Sequence, residues 1–411
     1  MIEFSMPALG ADMERGTLLE WRVRPGDAVR RGQVVAVVDT VKAAIDVECW
    51  HDGTVHALLA EPGALLPVGA PLAVLREAGE SAAAVEAAWV AKTASAALQR
   101  TAGADAGPIE SATARRLVPP PAAPPPVSPQ LGPQGPAGAP HPRLSPYARR
   151  RAQEMRGVIA AAMSRSKREI PHYYLAQDVP LLHATAWLQQ KNLSRPPAQR
   201  LLMAALLLKA VAAALTRVPG FNGYWREHRY EPAEGIHLGV AISLRAGGLV
   251  APALHDVPAL DLETVSLALV DLVRRTRAGQ LRSSELADPT LTVTALGEQG
   301  VDQVFGIIHP PQVALVGFGR VAPRAWVTDD GVQAVPVVGA TLSADHRATD
   351  GHQGALLLAE ILEQLQDPAA LDRPILPLGR SASSASAALE AAEEAHAPSS
   401  ADPGRSAAPT S

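Results

Sequence analysis

At 411 residues, with 47% of them hydrophobic, the chain has room for two or three domains and at least one sizeable core. Its 37 basic and 41 acidic residues leave a net charge of −4, which gives no global reason to expect nucleic-acid binding. One cysteine, Cys49, excludes an intramolecular disulfide and a thiolate zinc cluster, and a reducing cytoplasm is the expected compartment. The N-terminal residues MIEFSMPALG hold no basic stretch followed by an apolar one, so no signal peptide is expected. The longest apolar run, Leu201 to Leu215, is interrupted by Lys209 and rich in alanine; it reads as a buried helix, not a membrane span.

Residues 2–77 contain a hidden duplication. Gly16-Thr17 recurs as Gly53-Thr54, Pro25-Gly26 as Pro62-Gly63, Gly32 as Gly69 and Val37 as Val74, each 37 positions apart. Short β-branched runs bounded by Gly and Pro lie between these marks, the pattern of short strands. Two such units side by side predict an all-β flattened barrel with approximate two-fold symmetry. Strands are predicted at Val34–Val38 and Ala44–Glu48, with Lys42 at or beside the hairpin tip between them.

Residues 78–143 change character, first rich in alanine and then crowded with Pro, Ala and Gly from Pro119 to Pro142. Such a segment buries too little surface to fold and predicts a flexible tether. Its proline-rich part, roughly 24 residues at about 3 Å each, reaches on the order of 70 Å. A short basic helix is predicted over residues 144–155, capped by Ser145 with Pro146 in its first turn. From 156 to 376 helical and strand patterns alternate, predicting a mixed α/β domain. Helices are expected at Ala198–Arg217, Leu260–Arg277 and Ala355–Leu365, and strands at Ile236–Ile242, Leu249–Pro252, Leu291–Ala295 and Val313–Gly317. The Ser/Ala/Glu-rich tail, 377–411, is expected to be disordered.

Four positions could carry chemistry, and each has a plainer account. Lys42 could be an exposed solubilising lysine, or the attachment point of a swinging arm on a tethered module. His346, in the string Asp345-His346-Arg347-Ala348-Thr349-Asp350-Gly351, could be structural, or a neutral imidazole that takes a proton from a thiol. Asp350 could cap a loop, or fix the ring or a neighbouring cation. Thr294, near the end of the Leu291–Ala295 strand, could pack within a sheet or donate to a developing oxyanion. There is no His-x-x-x-His metal pair and no glycine-rich phosphate loop after a strand, so no metal site is expected.

The strings MPALGADMERGTLLEWRVRPGDAVRRGQ and DTVKAAIDVE resemble a lipoyl domain. RGVIAAAMSRSKREIPHYYL, LGVAISLRAGGLVAPAL, IIHPPQVALVGFGR and DHRATDG resemble the catalytic domain of the dihydrolipoamide acyltransferases, the core acyltransferase subunits of 2-oxoacid dehydrogenase complexes. The resemblance implies a multidomain chain: a lipoyl barrel, an Ala/Pro linker, a remnant of the peripheral subunit-binding domain at 144–155, and an α/β domain like that of chloramphenicol acetyltransferases. It implies lipoate in amide linkage on Lys42, and coenzyme A or its acyl thioester as substrate. His346 would be the general base, Thr294 the oxyanion donor and Asp350 the partner aspartate. It also implies a homotrimer with His346 and Thr294 supplied by different chains, assembled into a 24-mer or 60-mer core, in the cytoplasm, with no membrane or nucleic-acid partner. Acetyl is the default acyl group.

The chain departs from the family pattern in three places. Val41 stands where an aspartate usually precedes the lipoyl lysine, and Ala295 replaces the usual asparagine after the hydroxyl residue. The subunit-binding domain is much reduced, so standard docking of dihydrolipoamide dehydrogenase is not expected, and recognition by the 2-oxoacid decarboxylase is in question. Two other readings follow from the resemblance: a stand-alone biosynthetic acyltransferase without dehydrogenase partners, and a non-catalytic core scaffold.

Overall fold

The computed structural model describes residues 1–9, 13–40, 44–77, 79–102, 146–244, 248–328 and 331–375. The N-terminal strands are β1 (Ile2–Ser5), β2 (Arg15–Trp21), β3 (Ala28–Val29), β4 (Val34–Asp39), β5 (Ala44–Glu48), β6 (Gly53–Leu58), β7 (Leu65–Pro67) and β8 (Pro71–Arg76). They form two facing sheets, ordered β1-β8-β6-β3 and β5-β4-β2-β7. The 37-residue repeat lays β2, β3 and β4 on β6, β7 and β8, so each sheet holds strands from both halves.

The turns repeat as well. Gly26 and Gly63 have φ of +97° and +92°, a region that side chains rarely tolerate. Gly26 N donates to Val55 O at 2.8 Å, and Gly63 N donates to Leu18 O at 2.7 Å, the same bond made twice across the pseudo-symmetry axis. Leu18, Val38, Ile45 and Leu72 are fully buried at the centre of this barrel. Burial pushes the Cys49 thiol pKa up, as for an inert core cysteine.

Helix α1 (Ala82–Ala102) follows. The sequence reading began the tether at residue 78; this part of it is helix instead, because alanine is the best helix former. The helix is also anchored to the barrel. Val85 is buried, Glu86 meets His56 Nε2 at 2.9 Å, and Lys92 meets Glu3 at 2.5 Å. The proline-rich stretch and the tail from 377 lie outside the described residues. Helix α2 (Pro146–Glu169) runs unbroken through both the expected basic helix and the expected start of the α/β domain at 156.

The remaining elements are β9 (His172–Pro180), α3 (Leu182–Asn192), α4 (Met203–Arg217), β10 (Gly223–Arg226), β11 (Arg229–Pro232), β12 (Leu238–Val240), β13 (Ile242–Ser243), β14 (Leu249–Val250), β15 (Ala253–Leu254), α5 (Leu262–Ala278), β16 (Leu281–Arg282), α6 (Ser283–Ala287), β17 (Leu291–Ala295), β18 (Ala314–Phe318), β19 (Ala322–Thr328), β20 (Gly331–Asp345) and α7 (Gly351–Gln366). The main sheet runs β15-β12-β17-β18-β20-β19, with β9 also paired to β20. Strands β12, β17 and β18 are parallel, and β20 runs against β18, β19 and β9.

Helices α4, α5 and α7 cover the sheet, and α4 is the core of the layer, with Ala205 to Leu215 all buried. Residues 197–217 are long and apolar enough to cross a membrane, but 67% of that window is buried inside the fold, as befits a core helix. Helix α4 starts later than its sequence pattern because Pro196 and Pro197 hold the preceding residues in a short 3₁₀ turn. The sequence reading also missed β9, β19 and β20. From Val337 to Asp345, β20 is buried without alternation, so no period of two marks it as a strand.

Candidate active site

Strand β20 ends at Asp345 and α7 begins at Gly351, so the intervening loop hangs between the sheet and a core helix. Asp345 is fully buried. Its N–H donates to Val313 O at 2.9 Å, and its carboxylate accepts from Arg347 N (2.9 Å), Nε (3.0 Å) and Nη2 (2.7 Å). The Arg347 guanidinium lies 4.8 Å from the Trp225 ring centroid. A buried carboxylate needs such a bidentate partner, and the planar fork also stacks on an aromatic face.

His346 N donates to Pro171 O at 3.0 Å, which pins the backbone. Its exposed ring meets the edge of Tyr173, centroids 5.2 Å apart. Tyr173 Oη in turn donates to Asp350 O at 2.7 Å and lies 3.0 Å from Thr349 Oγ1, while burial pushes its pKa up and keeps it a phenol. Asp350 is the N-cap of α7: its Oδ1 accepts from Gln353 N at 2.9 Å. The plainer account of Asp350, a cap, is therefore the bond observed.

His172 stands beside Asp345 in the β9–β20 register and is a different kind of histidine. Ile308 N donates to its Nε2 at 3.1 Å, so its proton sits on Nδ1, which donates to Ile170 O at 2.9 Å. Burial, opposed by that backbone bond, lowers its pKa and keeps it neutral. Both ring nitrogens of His172 are thus committed to the fold. Among the described residues the ring of His346 makes no hydrogen bond, which leaves it available.

Thr294 lies on β17, half-buried, opposite Gly317 of β18, which is opposite Thr341 of β20. His346 follows Thr341 by five residues along β20, two strands away. Strand rise and spacing then separate the two by on the order of 20 Å within one chain. The fold does not bring base and hydroxyl together in a single subunit. The β17 end level with His346 instead holds Thr292, whose hydroxyl donates to Gln312 Oε1 at 2.7 Å and is used up in the core.

Lys42 lies outside the described residues, but its surroundings are defined. Asp39 pairs with Ala44 at the end of the β4–β5 ladder. The residues that sequence reasoning missed are Tyr173 and Trp225, which meet the loop from strands far away in sequence, and Arg347 within the loop itself. No group of three or more metal-ligating side chains occurs among the described residues.

The family model for the 2-oxoacid dehydrogenases acyltransferase catalytic domain matches residues 145–372, more than half of the chain. The chain belongs to the 2-oxoacid dehydrogenase acyltransferase family. A second model, that of biotin-requiring enzymes, matches residues 2–75. The chain is similar to the dihydrolipoyllysine-residue acetyltransferase component of the pyruvate dehydrogenase complex of Rickettsia bellii, 26% identical over 418 residues, covering 90% of this chain and 98% of the relative. It is 28% identical over 450 residues to the protein of that name from Rhizobium meliloti, covering 89% and 98%. Among solved structures, the Azotobacter vinelandii dihydrolipoamide acetyltransferase shares the fold at 24% identity and a TM-score of 0.50, covering 53% of this chain and 90% of that one. The cubic core of a pyruvate dehydrogenase multienzyme complex does so at 22% and 0.50, with the same coverage.

Proposed function

We propose that this chain is the core acyltransferase of a 2-oxoacid dehydrogenase complex, moving an acyl group between dihydrolipoyl-lysine on its own N-terminal module and coenzyme A. The observation that carries this reading is the pairing, in one polypeptide, of a duplicated lipoyl-type barrel with an acyltransferase sheet ending in the His346 loop. Acetyl is the acyl group, in keeping with the names of the relatives. The reading extends to a trimer as building block of a larger core, to 2-oxoacid decarboxylase and dihydrolipoamide dehydrogenase as partners, and to the cytoplasm as compartment.

Lys42 would hold lipoate in amide linkage, and the reduced group would supply a thiol on a mobile arm. His346 takes the proton from the attacking thiol and returns it to the departing one, the work of a general base. Thr294 donates its hydroxyl to the carbonyl oxygen as negative charge grows there. The separation of about 20 Å within one chain supports a site shared by two subunits, His346 from one and Thr294 from its neighbour. Asp345, Arg347 and Tyr173 position the loop, and Asp350 anchors it to α7.

His346→Ala is expected to cut acetyl transfer from acetyl-coenzyme A to free dihydrolipoamide by about 10²–10⁴-fold, the usual worth of a general base, with assembly intact by size-exclusion chromatography. Full turnover in that variant would remove the base assignment.

A further inference from the structure

The two folded units touch through a strand. β16 pairs in parallel with β5, Leu281 opposite Ile45 and Arg282 opposite Asp46. Strand β5 would otherwise be the open edge of the module's second sheet, a row of unpaired backbone groups of the kind that recruits a further strand. Glu48 closes the same contact. Its N–H donates to Ser283 Oγ at 3.0 Å, and its Oε2 accepts from Ser284 Oγ at 2.5 Å and Ser284 N at 3.1 Å. Glu48 and Ser283 are both buried, and Leu286 packs against the module's core. Among the described residues, the hydrogen-bond partners of Glu48 outside the β4–β5 ladder come from the acyltransferase side. A buried carboxylate without partners is costly, so this glutamate is matched to that surface.

The receiving surface is itself braced. The Glu285 carboxylate is held by Arg275 and accepts from Arg282 N at 2.8 Å, which ties β16 and α6 to α5. The C-terminal end of α6 leads toward the site. Tyr224 Oη donates to Asp288 O at 3.2 Å, and the next residue, Trp225, underlies Arg347 of the His346 loop.

We propose that the segment Leu281–Leu286 is a receptor for the chain's own lipoyl module, holding it by adding one strand to the module's open edge. The paired strand β5 begins two residues after Lys42 in the sequence. The contact is small: two paired residues, one carboxylate and one leucine. Such a contact is weak between separate molecules, yet it suffices for a module on the same chain, where covalent linkage raises the effective concentration to about the millimolar range. Weakness is useful here, because the module must also leave.

This inference rests on the reading of Lys42 as the arm's attachment, so its test has a readout of its own. In the full-length lipoylated protein, amide hydrogen exchange is followed at Ala44–Glu48 and Leu281–Leu286. The wild type should protect both segments together. Ser284→Glu, which sets a second carboxylate against Glu48, should speed exchange in both by about tenfold or more. It should slow acetylation of the chain's own arm by about fivefold, with turnover of free dihydrolipoamide unchanged. Glu48→Lys should do the same, and the double variant Glu48→Lys/Ser284→Glu should restore both readouts. Unprotected amides at residues 45 and 281 in the wild type, or unchanged exchange in a folded Ser284→Glu, would overturn the docking. The wild-type pattern decides even if a variant unfolds. Absence of turnover on free dihydrolipoamide with protection intact would instead overturn the acyltransferase reading.

Discussion

Asp345 and Asp350 divide the task of holding His346. The first is buried and clamps Arg347, the second caps α7, and neither has a recorded hydrogen bond to the imidazole. Tyr173 links the two ends of the loop, with its ring against His346 and its hydroxyl on the backbone of Asp350. A different residue governs the pH response of the fold. Lys209 is fully buried in α4, and its ammonium donates to Leu260 O at 2.6 Å and Arg373 O at 3.1 Å, with Pro258 O and Val257 O at 3.4 and 3.5 Å. Burial pulls its pKa from 10.5 down to about 8, against the attraction of Asp261 and Asp372. Between those values the unfolded chain holds the extra proton, so stability gains as pH rises. Over the full window the gain is up to about 3 kcal/mol. Urea unfolding at pH 7.5 and pH 10 should show the wild type gaining on Lys209→Met; parallel curves would refute it.

At the scale of elements, the loop is only as rigid as the helix that receives it. Asp350→Ala removes the N-cap of α7 and should cost about 1 kcal/mol, read as a lower Tm. Asp350→Asn keeps an acceptor for Gln353 N and should behave nearly as wild type in both stability and transfer. A folded Asp350→Asn enzyme with transfer lost would instead place the carboxylate's charge in the reaction. Strand β20 matters for a related reason. It pairs with β18 on one side and β9 on the other over Ala340–Ala344, so the strand that delivers His346 is held from both edges. That double pairing is why the imidazole can sit on an exposed turn and still have a defined position.

At the scale of the whole molecule, the roles proposed for His346 and Thr294, together with their spacing, predict that one chain is an incomplete enzyme. Co-assembly of His346→Ala with Thr294→Ala subunits tests this. With random mixing in a trimer, about a quarter of the interfaces would pair an intact His346 with an intact Thr294 and recover transfer. No recovery above the two parents would show that each subunit works alone. The sequence by itself determined a good deal. The 37-residue repeat specifies the barrel, because turns at positive φ need Gly26 and Gly63, and these recur at one spacing. The strings around Lys42 and His346 carry the resemblance to the family that the chain belongs to, and periodicity located α5 and α7 closely, since local burial patterns set amphipathic helices. Tertiary structure decided the rest. The Val337–Asp345 part of strand β20 shows no alternation, being buried throughout. Tyr173 meets His346, and Trp225 meets Arg347, only because β9, β10 and the end of β20 converge. The seam between Glu48 and Ser284 joins residues 236 positions apart. Local sequence cannot carry such contacts, because what stabilises them is the company of surfaces that become neighbours only once the chain has folded.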